Sequence, residues 1–354
     1  MSKIAILTDT HFGARSDSLI FNEFFYDFYE NQFFPYVKEN PEITAFLHLG
    51  DCLDRRKYIN YKIAKDFRER FIRGLDELNI PCHFIVGNHD IYYKNTLEVN
   101  CYKELTLPEQ CYVYDEPTVI TINDYDMAVI PWLTTDNEDQ VYSLTKEPGV
   151  QVAFGHLEIS GFEMHSGVMS QTGISKSIFN KFDMVMSGHF HKRSTDGHIY
   201  YLGCPYQMSW ADANDVKGFH VFDTKTRELE FVPNERTIFA KIHYNDKKTV
   251  YKDEDVSQYD QKFVKLFVEN RDDYYEFDKF LDRLYNDISV HDLKVVEDFS
   301  DLSVDFVSDD IVSEAQDTLS LLDKYVEDID TNLDKGRIKT KLKSLYIEAG
   351  DIDI

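Results

Sequence analysis

Five short clusters hold most of the residues able to do chemistry in this chain: DTH at 9–11, GDCLD at 50–54, GNHD at 87–90, GH at 155–156 and GHFH at 188–191. Each supplies carboxylate, imidazole or carboxamide, the donor types that suit borderline divalent cations. Side chains two apart on an extended segment project to the same side, so Asp9 is expected to converge with His11, and His189 with His191. The glycines at 50, 87, 155 and 188 give the backbone freedom to turn sharply ahead of these residues. Taken singly, each cluster is weak. GNHD reads as an ordinary turn, and GHFH as surface histidines on a hairpin. Five of them, each at the end of an apolar run, point to one metal-binding site.

The elements that must position these residues follow from hydrophobic patterning. KIAIL (3–7), TAFLHLG (44–50), HFIVG (83–87), DMAVIP (126–131), VQVAFG (150–155) and FDMVMSG (182–188) read as buried strands. Apolar-periodic helices are expected between the first two strands and again over IAKDFRERFIRGLDEL. The alternation predicts an α/β layered domain, with ligand residues at strand ends where such folds place their sites. YYLGCP, GFHVFDT and ELEFVP continue the sheet to about residue 235.

We divide the chain into a main domain over residues 1–240 and a small α+β domain over 241–300, with an acidic linker at 301–316 and C-terminal helices at 317–354. Residues 297–317 carry eight acids and no Lys or Arg. Beyond them, Leu319, Leu322, Val326, Ile329 and Leu333, then Ile338, Leu342 and Leu345, keep helical spacing on two stretches interrupted near Gly336.

Composition narrows the function. A formal net charge of −26 argues against unaided nucleic-acid binding, because phosphate affinity comes from Lys and Arg. Bound divalent cations or a partner protein would have to offset it. The five cysteines form no C-x-x-C pair and read as reduced thiols of a cytosolic protein. The N-terminus fits no signal peptide, no apolar run is long enough for a bilayer, and no G-x-x-x-x-G-K-[ST] nucleotide loop occurs.

The order D-x-H, GD-x-x-D, GNHD, GH, GHxH resembles that of the calcineurin-like metallophosphoesterases. Within that superfamily the strings DTHFG, GDCLDRRKYIN, IVGNHDIYYKN, VIPW, FGHLEISGF, SGHFHKRS and YLGCPYQMSW resemble the SbcD family, the nuclease subunits of SbcCD-type DNA repair complexes. They are similar in particular to the compact versions that tailed phages use as recombination endonuclease subunits. The likeness runs through NDVKGFHVFDTKTRELEFVPN and is strong over roughly residues 1–235.

The resemblance implies a four-layer β-sandwich flanked by helices, with a small α+β capping domain and C-terminal helices. It implies two divalent ions, manganese by family habit, although the donor set also suits iron or zinc. Asp9, His11, Asp51 and His191 match the ligands of the first ion, and Asp51, Asn88, His156 and His189 those of the second. On this reading His189 and His191 serve different ions and Asp51 bridges the two. His89 takes a catalytic role beside them. A metal pair can activate water and polarise a phosphoryl oxygen, leaving a histidine to act on the phosphate or the leaving oxygen.

Lesser candidates surround this set. Asp54 reads as a brace of its loop, and Asp90 as an orienting residue or a simple turn former. Arg55, Arg56 and Lys57, with Lys192 and Arg193, are candidates to touch a DNA backbone. Trp132 and Trp210 read as core anchors. His165, His198, His220, His243 and His291 fit no metal motif. The family further implies a DNA substrate and an SbcC-like coiled-coil ATPase gripped by residues 317–347. It also implies a homodimer within a heterotetramer and a cytoplasmic location, that of the bacterial host if the protein is a phage's. Rival readings are a phosphomonoesterase or cyclic-nucleotide phosphodiesterase on the same metals, or a scaffold for the ATPase.

Overall fold

A computed structural model describes residues 2–105, 107–165, 168–170 and 173–297, together with 326, 335, 336, 338, 339 and 341. Four strands, β1 (Lys3–Leu7), β2 (Ile43–His48), β3 (Cys82–Ile85) and β4 (Cys111–Tyr114), lie side by side in parallel. Next come β5 (Thr118–Ile122), β6 (Tyr125–Ile130) and β7 (Val152–His156), then a short ribbon of β8 (Glu163–His165) and β9 (Val168–Met169). They are followed by β10 (Met184–Gly188), β11 (Ser194–Thr195), β12 (Ile199–Tyr201), β13 (Gly218–Asp223) and β14 (Leu229–Pro233). Two six-stranded sheets result, ordered β14-β13-β1-β2-β3-β4 and β11-β12-β10-β7-β6-β5. In the first sheet β13 and β14 pair antiparallel beside the parallel run β1–β4, and in the second the parallel strands β12, β10, β7 and β6 are flanked by antiparallel β11 and β5.

The period of two along each strand builds the layers. On β1, Ile4 and Ile6 enter a core that also holds Leu47, Met127, Val129, Phe154 and Met186, so this core lies between the sheets. Ala5 and Leu7, one residue out of phase, face the other way into an aromatic core with Phe25, Tyr29, Phe33, Phe67 and Phe71. On the second sheet Ala128, Ala153 and Val185 likewise turn outward, toward Val141 and Phe179. The order is helices, sheet, sheet, helices, the expected four-layer α/β sandwich.

Two long helical segments cover the first sheet. One runs from Leu19–Phe28 through a wide π turn at Tyr29–Phe33 into Phe34–Glu39, and the other from Tyr61–Asp66 through a similar turn at Phe67–Ile72 into Arg73–Leu78. The extra residue in such a turn shifts the helix face. In the first helix both Phe28 with Tyr29 and Phe33 with Phe34 are thereby buried.

A third sheet, ordered β15 (Phe239–Asn245), β16 (Phe263–Asn270), β17 (Asp292–Val296), carries the helix Tyr274–Asn286. The Asp273 side chain caps that helix by accepting from the Tyr275 and Glu276 amides, each at 3.1 Å. Phe277, Phe280 and Leu284 pack on Tyr244, Tyr251 and Leu266. Sequence patterning shows the later strand, helix and strand of this unit but not β15. The rings of Phe239 and Phe263 reach Phe21 at 5.9 and 5.5 Å, and Met1–Val295 forms one compact unit. The linker at 301–316 lies outside the described residues. Of the C-terminal segment, Val326, Lys335, Gly336, Ile338, Lys339 and Lys341 are helical, so Gly336 does not itself leave the helix.

Candidate metal centre

All five clusters lie at the carboxyl ends of central parallel strands. Asp9 and His11 follow β1, Asp51 follows β2, Asn88 and His89 follow β3, His156 ends β7, and His189 and His191 follow β10. The backbone there is not extended, contrary to the argument from strand periodicity. Asp9 (φ 53°), His11 (φ 41°), Asp51 (φ 55°) and His189 (φ 90°) all occupy positive φ. Such conformations cost about 1–2 kcal/mol each and persist only where surroundings enforce them. Here the Asp9 amide donates to the Gly50 carbonyl at 3.0 Å, the His11 amide to the Asp51 carbonyl at 3.1 Å, and the His189 amide to the Asp9 carboxylate at 3.1 Å. Two glycines serve differently. Gly50 takes φ 99°, whereas Gly188 permits close approach, since a Cβ there would lie 2.0 Å from Thr8 Oγ1.

The donor atoms fall into two neighbouring groups. His11 Nε2 lies 3.1 Å from His191 Nε2, and each is 4.0 Å from Asp9 Oδ1. On the other side Asn88 Oδ1 lies 2.9 Å from His156 Nε2 and 3.1 Å from His189 Nδ1. Asp51 Oδ2 stands between, 3.2 Å from His156 Nε2 and 3.7 Å from His11 Nε2. The two histidines of GHFH are thus divided between the groups, while Asp9 and His11 share one.

Electrostatics explain what this arrangement needs. Burial pushes the Asp9 carboxyl up, and His156 opposes that rise. Burial also opposes charge on Asp51, but His156 and His89 hold its carboxyl well below the usual range. Burial disfavours charge on His11, yet Asp54, Asp51 and Asp9 raise it to about 9. His156 is raised to about 9 as well, Asp51 overcoming its burial. His189 goes the other way, to about 3, through burial and the proximity of His156. The buried carboxylates therefore require positive charge between them.

The residues fit divalent ions. Ligands at right angles to each other around an ion with bonds near 2.1 Å are separated by about 3 Å. Donor pairs here at 2.9, 3.1 and 3.1 Å match that spacing. Asp9 with His11 and His191, and Asp51 with His156 and His189, each form a group able to hold an ion. His156 Nδ1 donates to the Leu49 carbonyl at 2.7 Å, which turns Nε2 toward Asn88 and Asp51, where a bound ion would take the place of its proton.

The lesser candidates separate. Asp90 is buried and accepts from the amides of Asp51 and Gly87 at 2.9 and 2.8 Å through Oδ2, and from Cys52 at 2.9 Å through Oδ1. It holds the Asp51 loop. Asp54 Oδ1 lies 3.4 Å from His11 Nδ1, and the Asp54 carbonyl accepts from His89 Nδ1 at 2.6 Å. Arg55 pairs with Asp17 at 3.4 Å and stacks on Tyr58. Arg193 stacks 3.6 Å above Phe231, and Lys192 is half-buried after His191. Trp132 packs against His189 at 5.0 Å as well as serving the core, while Trp210 packs on Phe239 at 4.7 Å.

Sequence reasoning missed several contributors. Buried Lys217 donates to the His191 carbonyl at 2.9 Å and pairs with Asp212 at 2.5 Å. Buried His48 bonds Thr10 at 3.0 Å, Thr8 donates to Asp9 at 2.6 Å, and Tyr206 donates to the Thr10 carbonyl at 2.5 Å. The only sequence signal for Lys217 is a lysine among acids in NDVKG, which names no target.

A fold of two facing sheets with histidine, aspartate and asparagine donors at their joint is that of a metallophosphoesterase. Residues 2–193 match the calcineurin-like phosphoesterase family, and the chain belongs to it. Within the family it is SbcD-like. It is 33% identical over 354 residues to exonuclease subunit 1 of Enterobacteria phage T4, covering 98% of this chain and 99% of that one. It is also 24% identical over 231 residues to SbcD of the SbcCD nuclease from Staphylococcus saprophyticus, covering 55% of this chain and 59% of the relative. With SbcD of Staphylococcus epidermidis the identity is 29% over 230 residues, 55% of this chain and 60% of the relative. Among the described residues no helix is long and apolar enough to cross a membrane.

Proposed function

We propose that this chain is a metal-dependent DNA nuclease, cutting single strands internally and duplexes from their ends, and the catalytic subunit of an ATP-dependent DNA end-processing complex. The observation that carries the reading is the convergence of seven donor side chains at the joint of the sheets, in a chain alike over its whole length to a phage exonuclease subunit.

In our assignment Asp9, His11, Asp51 and His191 hold one ion, and Asp51, Asn88, His156 and His189 the other, with manganese as the working metal. Such ions supply Lewis acidity toward a phosphoryl oxygen and an acidified water. The chain does the rest. Asp51 presents Oδ2 to both groups, 3.2 Å from His156 Nε2 and 3.7 Å from His11 Nε2, while its Oδ1 accepts from the His89 amide at 2.7 Å. His89 donates Nδ1–H to the Asp54 carbonyl, so Nε2 remains for the substrate. From there it stabilises the phosphate when protonated or gives a proton to the leaving 3′-oxygen. Asp90 and Asp54 keep both loops in place for that geometry.

The remaining assignments follow the SbcD-like character. Residues 241–300 act as the DNA-capping domain, and 317–354 bind an SbcC-like coiled-coil ATPase within a heterotetramer built on a homodimer, in the cytoplasm of the host cell. Support comes from relatives named as subunits of a two-component nuclease.

The test is cleavage of single-stranded DNA by the purified chain with manganese, beside a phosphomonoester and the variant His89→Ala. DNA cleavage that His89→Ala reduces by about 10²-fold or more is expected. Turnover of the phosphomonoester with no DNA cut, even with the ATPase present, would defeat the nuclease reading. Deletion of 317–354 should abolish co-purification with the ATPase and leave metal-dependent cleavage; retained association would refute the partner assignment.

A further inference from the structure

Charge is unevenly spread beside the metal centre. The stretch 55–65 holds five basic residues and no acid, in a chain with 64 acids and 38 basic residues; Arg55, Lys62 and Lys65 pair with Asp17, Asp66 and Glu69, which leaves Arg56 and Lys57 as the charges turned to the site. Arg56 is half-buried, within reach of the Asp51 charge, and makes no hydrogen bond or salt bridge among the described residues. A desolvated guanidinium without a partner is unfavourable unless an anion arrives.

Aromatic rings flank the same place. Tyr58 is 63% exposed, Tyr93 is 52% exposed, and Tyr92 lies beside Tyr93 with its ring partly open to solvent. The rings of Tyr92 and Tyr93 meet edge to face at 4.8 Å. Lys57 Nζ, from the first loop, sits 5.6 Å from the Tyr92 ring of the second, and Arg55 caps the Tyr58 ring at 4.9 Å. Both loops are tied to the site, since the Asp54 carbonyl receives the His89 ring proton. The result is a ridge of exposed rings interleaved with cations, starting just past Asp54 on one loop and just past His89 on the other.

Rings with free faces stack on bases, and cations between them meet the phosphates. Bases inside a duplex already stack on each other and offer such rings no free face. We propose that Arg56, Lys57, Tyr58, Tyr92 and Tyr93 form a single-strand grip that holds unpaired nucleotides next to the phosphate being cut. The occupant is an unpaired DNA strand, chosen by charge complementarity in a protein whose net charge of −26 otherwise disfavours phosphate. This inference rests on the nuclease reading and narrows its substrate form.

The experiment uses the full chain with manganese and three substrates: a fluorescent oligo-dT, a blunt duplex, and the small chromogenic diester bis(p-nitrophenyl) phosphate. Wild type is compared with Tyr58→Ala/Tyr92→Ala/Tyr93→Ala, with the matching triple Phe variant, and with Arg56→Gln. For the Ala triple, loss of dT binding and cleavage should exceed loss on the small diester by at least about tenfold. The Phe triple, which keeps the ring faces, should retain dT cleavage. Arg56→Gln should flatten the salt dependence of dT binding by about one charge. An Ala triple that binds and cuts dT like wild type overturns the grip alone. Equal losses on dT and on blunt duplex overturn its single-strand character. Wild type that hydrolyses the small diester but neither DNA overturns the nuclease reading, and the grip with it.

Discussion

The two halves of the metal centre are built from the same residue types but braced differently. In the first half His11 has the Asp54 carboxylate beside its Nδ1, and His191 is held through its backbone carbonyl by Lys217, itself paired with Asp212. Asn88, His156 and His189 rely on a neutral amide, the Leu49 carbonyl and the Trp132 ring. With Asp51 common to both, the first half presents two carboxylates and the second presents one. Carboxylate support also raises the basicity of a ligating imidazole. On the proposed two-ion assignment, the first half is expected to hold its ion more tightly, and the second to lose its ion first on dilution or chelation.

The largest effect tests what the halves share. Asp51→Asn removes charge from both, and hydrolysis should fall by about 10³-fold or more with neither ion retained at stoichiometry. Metal analysis that finds one ion still bound would break the idea of a shared ligand. Next, Asp9→Asn and Asn88→Ala should each reduce bound manganese from two ions to one. In Asp9→Asn the survivor should be the weaker, as titration calorimetry would read; equal residual affinities would erase the distinction.

Chelation has a smaller consequence. Ions at about 100 times their dissociation constant stabilise the folded chain by roughly 2.7 kcal/mol per site, so removing them should lower the thermal midpoint. That loss should occur in two steps as chelator is added. Lys217→Met should weaken the first site by about 10- to 100-fold and leave the second unchanged. The smallest effect is expected from Trp132→Leu, confined to the second site and within about tenfold. Should Lys217→Met weaken both sites alike, the bracing is not specific to one half.

What the sequence made legible were the donors and the strands that end at them, because a continuous apolar run closed by a polar cluster leaves little choice of structure. The partition of His189 and His191 needed more than spacing, since positive φ at His189 cancels the alternation that spacing assumes. Asp90 was visible as a residue but not as a clamp, because two of the amides it holds, those of Asp51 and Cys52, lie 39 and 38 residues earlier. Lys217, His48 and Tyr206 were illegible because each acts on a backbone atom or hydroxyl that carries no sequence signature. The edge strands β4 and β5 and the strand β15 escaped because their shorter or mixed patterns resemble loops. Residues 58, 92 and 93 were readable as tyrosines, whereas their exposure came only with the fold.

The origin of the donors has a mechanical consequence. Asp9, His11, Asp51 and Asn88 hang from one sheet, and His156, His189 and His191 from the other. The centre is thus a clasp across a seam, and it closes only when two independently hydrogen-bonded sheets slide into register. A half-molecule ending before His156 keeps four of the seven donors and cannot close it. The donor set is therefore complete only once both sheets have formed and docked.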